Sequence, residues 1–93
     1  MKTLQDSLKE RLKDPEFRAA YEYESIVQEL ALKIARLRQE VGLSQKGLAE
    51  MLDTKQQVIS RIENGNQNLS LNMLYKISKV LGVNLAVDLK KVS

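Results

Sequence analysis

Two short helical patterns joined by a tight turn constrain this chain most. The first runs from Ser44 to Leu52 and the second from Lys55 to Asn64, with Asp53-Thr54 between them and Gly65 closing the pair. Leu48, Ala49 and Leu52 form the inner side of the first pattern. Ile59 and Ile62 form that of the second, at about 100° per residue. Gln57 and Asn64 point directly away from them, flanked by Ser60 and Arg61, with Gln56 to one side near the helix start and Val58 at the margin.

A helix with only a solubilising outer face usually carries Lys and Glu. Amides, a hydroxyl and one arginine stand here instead. Held rigidly against its neighbours, such a helix suits the DNA major groove, where amides and arginine can form bidentate pairs with adenine and guanine. The same residues also fit a neutral surface, and this helix alone leaves both readings open.

Helical periodicity extends on either side. Leu4, Leu8 and Leu12 make one stripe, after which Asp14-Pro15-Glu16 restarts the chain with an N-cap, a first-turn proline and an acid at the positive helix end. Phe17, Ala20, Tyr21 and Glu24 share the next face. Ser25 with Gln28 matches a capping box, so either a new helix begins there or the earlier one continues. Ile26, Leu30, Ile34, Leu37 and Val41 form a stripe stopped by Gly42. Ser44 caps the first motif helix. Asn66 to Asn68 read as loop. Ser70 caps a last helix, with Leu71, Leu74, Ile77, Val80 and Leu81 inward and Gly82 at its end. From Asn84 to Val92, Leu85, Val87 and Leu89 alternate with Ala86, Asp88 and Lys90, the period of a strand.

Composition narrows the chemistry. The 93 residues include no cysteine and no histidine, which removes zinc fingers, thiol chemistry and histidine general-base catalysis. No metal site or cofactor is expected, and no Gly-rich phosphate loop is present. An enzyme is therefore disfavoured. No apolar run is long enough to span a membrane, and the N-terminus lacks a secretory signal, so a cytoplasmic location is expected. The net charge of +3 is uneven: residues 1–24 carry −1 and residues 25–93 carry +4. The basic excess thus lies with the two-helix motif, as a phosphate-binding surface requires.

Ser44-Gln45, Leu48-Ala49 and Ile59-Ser60-Arg61-Ile62-Glu63-Asn64-Gly65 together resemble the Xre/Cro helix-turn-helix family of phage-type repressors. Leu37-Arg38, Gly42-Leu43, Leu69-Ser70-Leu71 and Leu81-Gly82-Val83 fit the same five-helix pattern, so the likeness covers residues 26 to 83. It implies an all-α DNA-binding domain, usually dimeric on its operator. By position, Gln45, Lys55, Gln56, Gln57, Val58, Ser60, Arg61 and Asn64 become the DNA-binding set. Gln56, Gln57, Val58 and Arg61 fall at the base edges, Ser60 at the groove wall or a phosphate, and Gln45 at a phosphate or as a brace. Arg38 and Glu63 match a structural ion pair. Asp53 stands where glycine is common, and Gly47 inside a helix costs roughly 1 kcal/mol relative to alanine.

Leu12-Lys13-Asp14-Pro15-Glu16-Phe17-Arg18-Ala19-Ala20-Tyr21-Glu22 resembles the leader of HigA-type antitoxins, which precedes the same helix-turn-helix. That resemblance implies a toxin–antitoxin system in which the chain masks a small basic mRNA-cleaving toxin and represses its own operon. Leu8, Leu12, Phe17 and Tyr21 would then bind the toxin. A lone strand leaves its edge hydrogen bonds open, so Leu85, Val87 and Leu89 are expected to pair two copies into a homodimer, with addition to a toxin sheet as the alternative.

The expected organisation is an N-terminal helical extension (residues 1–24), a five-helix DNA-binding domain (25–83) and a C-terminal β-strand (84–93). The alternative function is a free-standing regulator or phage-type repressor, whose first helices only complete its fold by packing Phe17 and Tyr21 against Leu30 or Ile34.

Overall fold

A computed structural model describes residues 3–66 and 68–92. Gln67, read above as part of a loop, and Met1, Lys2 and Ser93 lie outside the described residues. Five helices follow in order: α1 (Leu4–Arg11), α2 (Pro15–Glu40), α3 (Gln45–Met51), α4 (Gln56–Glu63) and α5 (Leu71–Leu81).

The starts of these helices are written in local chemistry. Thr3 and Asp6 form a reciprocal capping box at α1, and the Asp14 side chain accepts from the Glu16 N–H with Pro15 in the first turn of α2. Ser44 and Ser70 accept from the N–H groups of Gly47 and Met73, at 2.9 and 3.0 Å. Lys55 caps α4 without a side-chain hydrogen bond. Between α3 and α4, Asp53 has φ of +54°, the left-handed conformation the tight turn needs. Among the described residues it is the one non-glycine with positive φ. Aspartate tolerates that region better than most side chains.

The core joins Ile34 of α2, Leu48 and Ala49 of α3, Ile59 and Ile62 of α4, and Ile77 and Leu81 of α5. Leu30, Leu37, Leu52, Leu74 and Val80 pack around it. The stripes expected from periodicity overreach at their ends, since Ile26, Val41 and Leu71 are exposed.

One open reading is settled and two expectations are corrected. First, of the two readings of Ser25–Gln28, the structure takes the one in which the earlier helix continues. Residues 16–40 contain neither glycine nor proline, so nothing interrupts α2, and the boundary drawn at residue 25 falls inside it. Second, five helices are present, but α1 belongs to the extension, and the core is built by α2 to α5.

Third, residues 83–92 form no strand. An alternating pattern records which side chains could share a face. A ladder also needs a second backbone, and the described chain supplies none to this segment.

The extension stands off the core. No residue of α1 is buried, and the first buried residue of α2 is Ala31. The radius of gyration is 16.3 Å, with extents of 49 × 32 × 21 Å. A compact chain of this length would have a radius near ~12 Å.

Candidate nucleic-acid interface

The motif residues divide by what holds them. Ile59 and Ile62 seat α4 in the core, which leaves Gln56, Gln57, Arg61 and Asn64 exposed. Lys55 is exposed at the helix start. These exposed groups lie along about two and a half turns, and offer amide donors and acceptors beside a guanidinium and an ammonium. Ser60 is half-buried. Val58 is also half-buried and packs against the core, so it spends much of its apolar surface internally.

A cluster of charged and polar side chains fixes the angle of α4. The Arg38 guanidinium donates to Glu63 through Nε at 2.7 Å and Nη2 at 3.0 Å, and its Nη1 donates to the Leu43 carbonyl at 2.7 Å. Gln45 Nε2 donates to Glu63 Oε1 at 3.2 Å. The Arg38 and Glu63 side chains are only 10% and 6% exposed. The Glu63 hydrogen bond raises the Arg38 pKa against the opposing effect of burial, so the guanidinium stays charged throughout. One carboxylate thus ties α2, α3 and α4 together. Among the described residues, no buried side-chain polar atom lacks a partner.

Gln45 is therefore placed as a brace. Its amide nitrogen is engaged within the protein, at the first residue of α3. The structure brings Arg38, Gln45 and Glu63 together behind α4, and Lys55, Gln56, Gln57, Arg61 and Asn64 on its outside.

The arm residues lie apart from that surface. Phe17 and Tyr21 stack with ring centroids 6.4 Å apart, and the Arg11 guanidinium lies 5.8 Å from the Phe17 centroid. Phe17 is half-buried and Tyr21 is exposed, as are Tyr23 and Ile26 beyond it. Leu8 and Leu12 are half-buried. Packing of Phe17 on Leu30 is ruled out by length, because thirteen residues along one helix separate them by roughly 20 Å.

At the other end, Leu85 and Val87 line an open apolar groove with Leu71, Asn72 and Tyr75 of α5. They also line a second groove with Ile26, Leu32, Lys33, Arg36 and Leu74. Leu89 is almost wholly exposed.

Tyr23 and Leu32 have no role in the sequence pattern, and Gln28 enters it only as the capping-box partner of Ser25. A signal for Gln28 was available, because Phe17, Tyr21, Glu24 and Gln28 keep an i, i+4, i+7, i+11 spacing along one helix.

Two short helices across a left-handed turn, the second braced from behind and polar in front, define a DNA-binding helix-turn-helix regulator. The comparisons agree. The helix-turn-helix family model matches residues 34–87, and the chain belongs to this family, of the Xre type. It is similar to the control protein C.MunI of Mycoplasma sp, with 44% identity over 55 residues, 58% of this chain and 74% of that protein. It is also similar to an uncharacterized HTH-type transcriptional regulator of Haemophilus influenzae, with 42% identity over 50 residues, 54% of this chain and 51% of that protein. The chain therefore spans about half the length of the second relative.

Among solved structures it resembles a chain of a HipA-HipB-O2-O3 complex. The TM-score is 0.58 at 31% identity, covering 69% of this chain and 90% of that one. No helix of the described residues is long and apolar enough to cross a membrane.

Proposed function

We propose that the chain is an antitoxin of the HigA type. It represses its own operon through α4 and neutralises a small basic HigB/RelE-like toxin that cleaves mRNA through its N-terminal arm. The observation that carries this reading is the arm itself. Residues 3–26 contribute nothing buried to the core, yet carry Leu8 and Leu12 on and just after α1, and Phe17 and Tyr21 on α2, which continues into the DNA-binding domain. A free-standing repressor gains nothing from such a projection. Aromatic anchors, with Tyr21 exposed and Phe17 half-buried, beside acids such as Asp14, Glu16, Glu22 and Glu24 suit a partner that holds RNA on a basic surface. That the solved chain it resembles belongs to a multi-component complex supports a protein partner in kind.

On the DNA side, Gln56, Gln57 and Arg61 read base edges, with Val58 beside them at a thymine methyl. Lys55, Ser60 and Asn64 contact the groove wall and phosphates, and Gln45 braces α4. Two copies associate through Leu85, Val87 and Leu89, so that their α4 helices address two half-sites about 34–36 Å apart on a near-palindromic operator.

The reading expects a neighbouring gene for a small basic protein, and co-expression with the product of that neighbouring gene tests it. The two should co-purify, and growth arrest by that protein should be relieved by the wild-type chain but not by one lacking residues 1–24. Neutralisation by the truncated chain would favour a repressor whose arm is incidental.

A further inference from the structure

We propose that the Asn64-Gly65 peptide at the end of α4 is a site of spontaneous deamidation. The fold and bound DNA hold the reaction back, and its products weaken operator binding.

The chemistry needs an unshielded backbone nitrogen after the asparagine. Asn64 is the one asparagine in the sequence followed by glycine, whereas Asn66, Asn68, Asn72 and Asn84 precede Gln67, Leu69, Met73 and Leu85. Asparagine is among the thermolabile side chains, and a residue without a Cβ leaves its own nitrogen open to approach. Base takes the Gly65 amide proton, and the nitrogen attacks Asn64 Cγ. The Cγ–Nδ2 bond breaks, and Nδ2 takes up a proton and leaves as ammonia. Water then opens the five-membered imide. Opening at Cγ leaves aspartate. Opening at the main-chain carbonyl carbon leaves isoaspartate, with the backbone rerouted through Cγ.

The structure controls when this can happen. Asn64 is exposed, but its φ of −94° and ψ of −1° continue the helix. The Gly65 N–H therefore points back along α4 and donates to the Ile62 carbonyl at 3.1 Å, while the Asn66 N–H donates to the Arg61 carbonyl at 2.9 Å. Attack on Asn64 Cγ requires the Gly65 hydrogen bond to break and the Asn64 ψ to rotate. Packing from α2 opposes both. A Cβ built on Gly65, which has φ of +74°, would lie 2.5 Å from Gln28 Nε2, so the Gln28 amide covers this residue. On either side of the pair, Ile62 and Leu69 line an apolar cleft with Tyr23, Val27 and Ala31. The reaction thus runs through local opening of the end of α4.

The consequence rests on the placement of Asn64 at the DNA. Aspartate puts a negative charge where an amide faced phosphate, and does so at the negative end of the helix dipole. Isoaspartate adds a methylene to the main chain next to Glu63, which ties α4 to Arg38 and Gln45. A chain on its operator keeps this turn closed, and a free chain ages.

The test incubates the full chain at neutral and mildly alkaline pH and follows each asparagine by peptide mass spectrometry. Asn64 should react several-fold faster than Asn66, Asn68 and Asn84, which are also exposed, and faster still as pH rises. Equal rates at the four positions would overturn the site. Unfolding in urea should speed the reaction at Asn64, and so should Gln28→Ala in the folded chain. A folded chain as reactive as the unfolded one would overturn the hold by the fold, and a wild-type rate in Gln28→Ala would overturn the part given to Gln28.

Binding is measured on a duplex selected by the wild-type chain from a random-sequence pool. That duplex should slow the reaction at Asn64 and a scrambled one should not; equal rates would overturn protection by DNA. Asn64→Asp should bind several-fold more weakly than Asn64→Ala at low salt, with a log–log salt slope shallower by about one. Identical binding by the two variants would overturn the consequence. If no duplex is selected, the DNA-reading role of α4 falls, while the rates at the four asparagines still decide the site.

Discussion

Arg38 grips Glu63 through two nearly parallel hydrogen bonds, with both side chains almost excluded from water. The pair joins the helix that carries the arm to the last residue of α4. Removing water from two charges costs several kcal/mol per ion, so such a pair is weak evidence of net stability. Its geometry sets the orientation of α4, because Glu63 also receives Gln45 from α3.

Breaking one half should therefore be worse than replacing both. Glu63→Ala leaves Arg38 buried without its counter-charge and should cost about 3–5 kcal/mol. The double variant Arg38→Met/Glu63→Leu should recover much of that loss. Urea denaturation of the three proteins measures it. A double variant no more stable than Glu63→Ala would show that the cost comes from elsewhere.

Gln57→Ala and Arg61→Ala should each weaken operator binding by about 1–3 kcal/mol. Both side chains are exposed, so melting temperatures should stay within a few degrees of wild type. Anisotropy with operator DNA and thermal melts read the two effects separately. Equal affinity in wild type and both variants would remove α4 from the reading role.

Phe17→Ala and Tyr21→Ala should leave the fold and operator binding of the free chain intact, because the arm contributes no buried residue to the core. Co-purification of the proposed toxin partner should be lost. A melting temperature lowered by ten degrees or so, a change on the order of 1–2 kcal/mol, would show that the pair serves the fold.

Gly65→Ala combines a left-handed φ with the Gln28 amide in the way of the new methyl. It should destabilise by about 1–3 kcal/mol. Adding Gln28→Ala should restore the part due to crowding and leave the part due to the backbone. If the second substitution restores nothing, the contact between Gln28 and Gly65 carries no weight.

Removing residues 84–93 should yield a folded chain, since none of residues 84–92 belongs to the core. Sedimentation should report a monomer, with much weaker operator binding. A truncated chain that remains dimeric would move the interface to the exposed Leu71–Tyr75 face of α5.

Local signals, each a matter of a few neighbouring residues, were legible in the sequence. Ser44, Ser70 and Asp14 cap their helices because a short oxygen-bearing side chain satisfies a free N–H in the first turn. Ile59 and Ile62 are buried because their spacing places them on one side of a helix. The outward amides of α4 follow from the same spacing.

Tertiary structure alone decided the questions that depend on a partner. Ser25 and Gln28 can cap a helix, but an uninterrupted α2 left them nothing to cap. Leu85, Val87 and Leu89 alternate like a strand, but a strand is a relation between two backbones and the described chain provides one. Gln45 could have faced a phosphate or braced the motif, and the nearby Glu63 carboxylate engaged it inward. Whether Phe17 could reach Leu30 depended on whether α2 bent. An unbroken helix holds the two about 20 Å apart and leaves the arm free of the core.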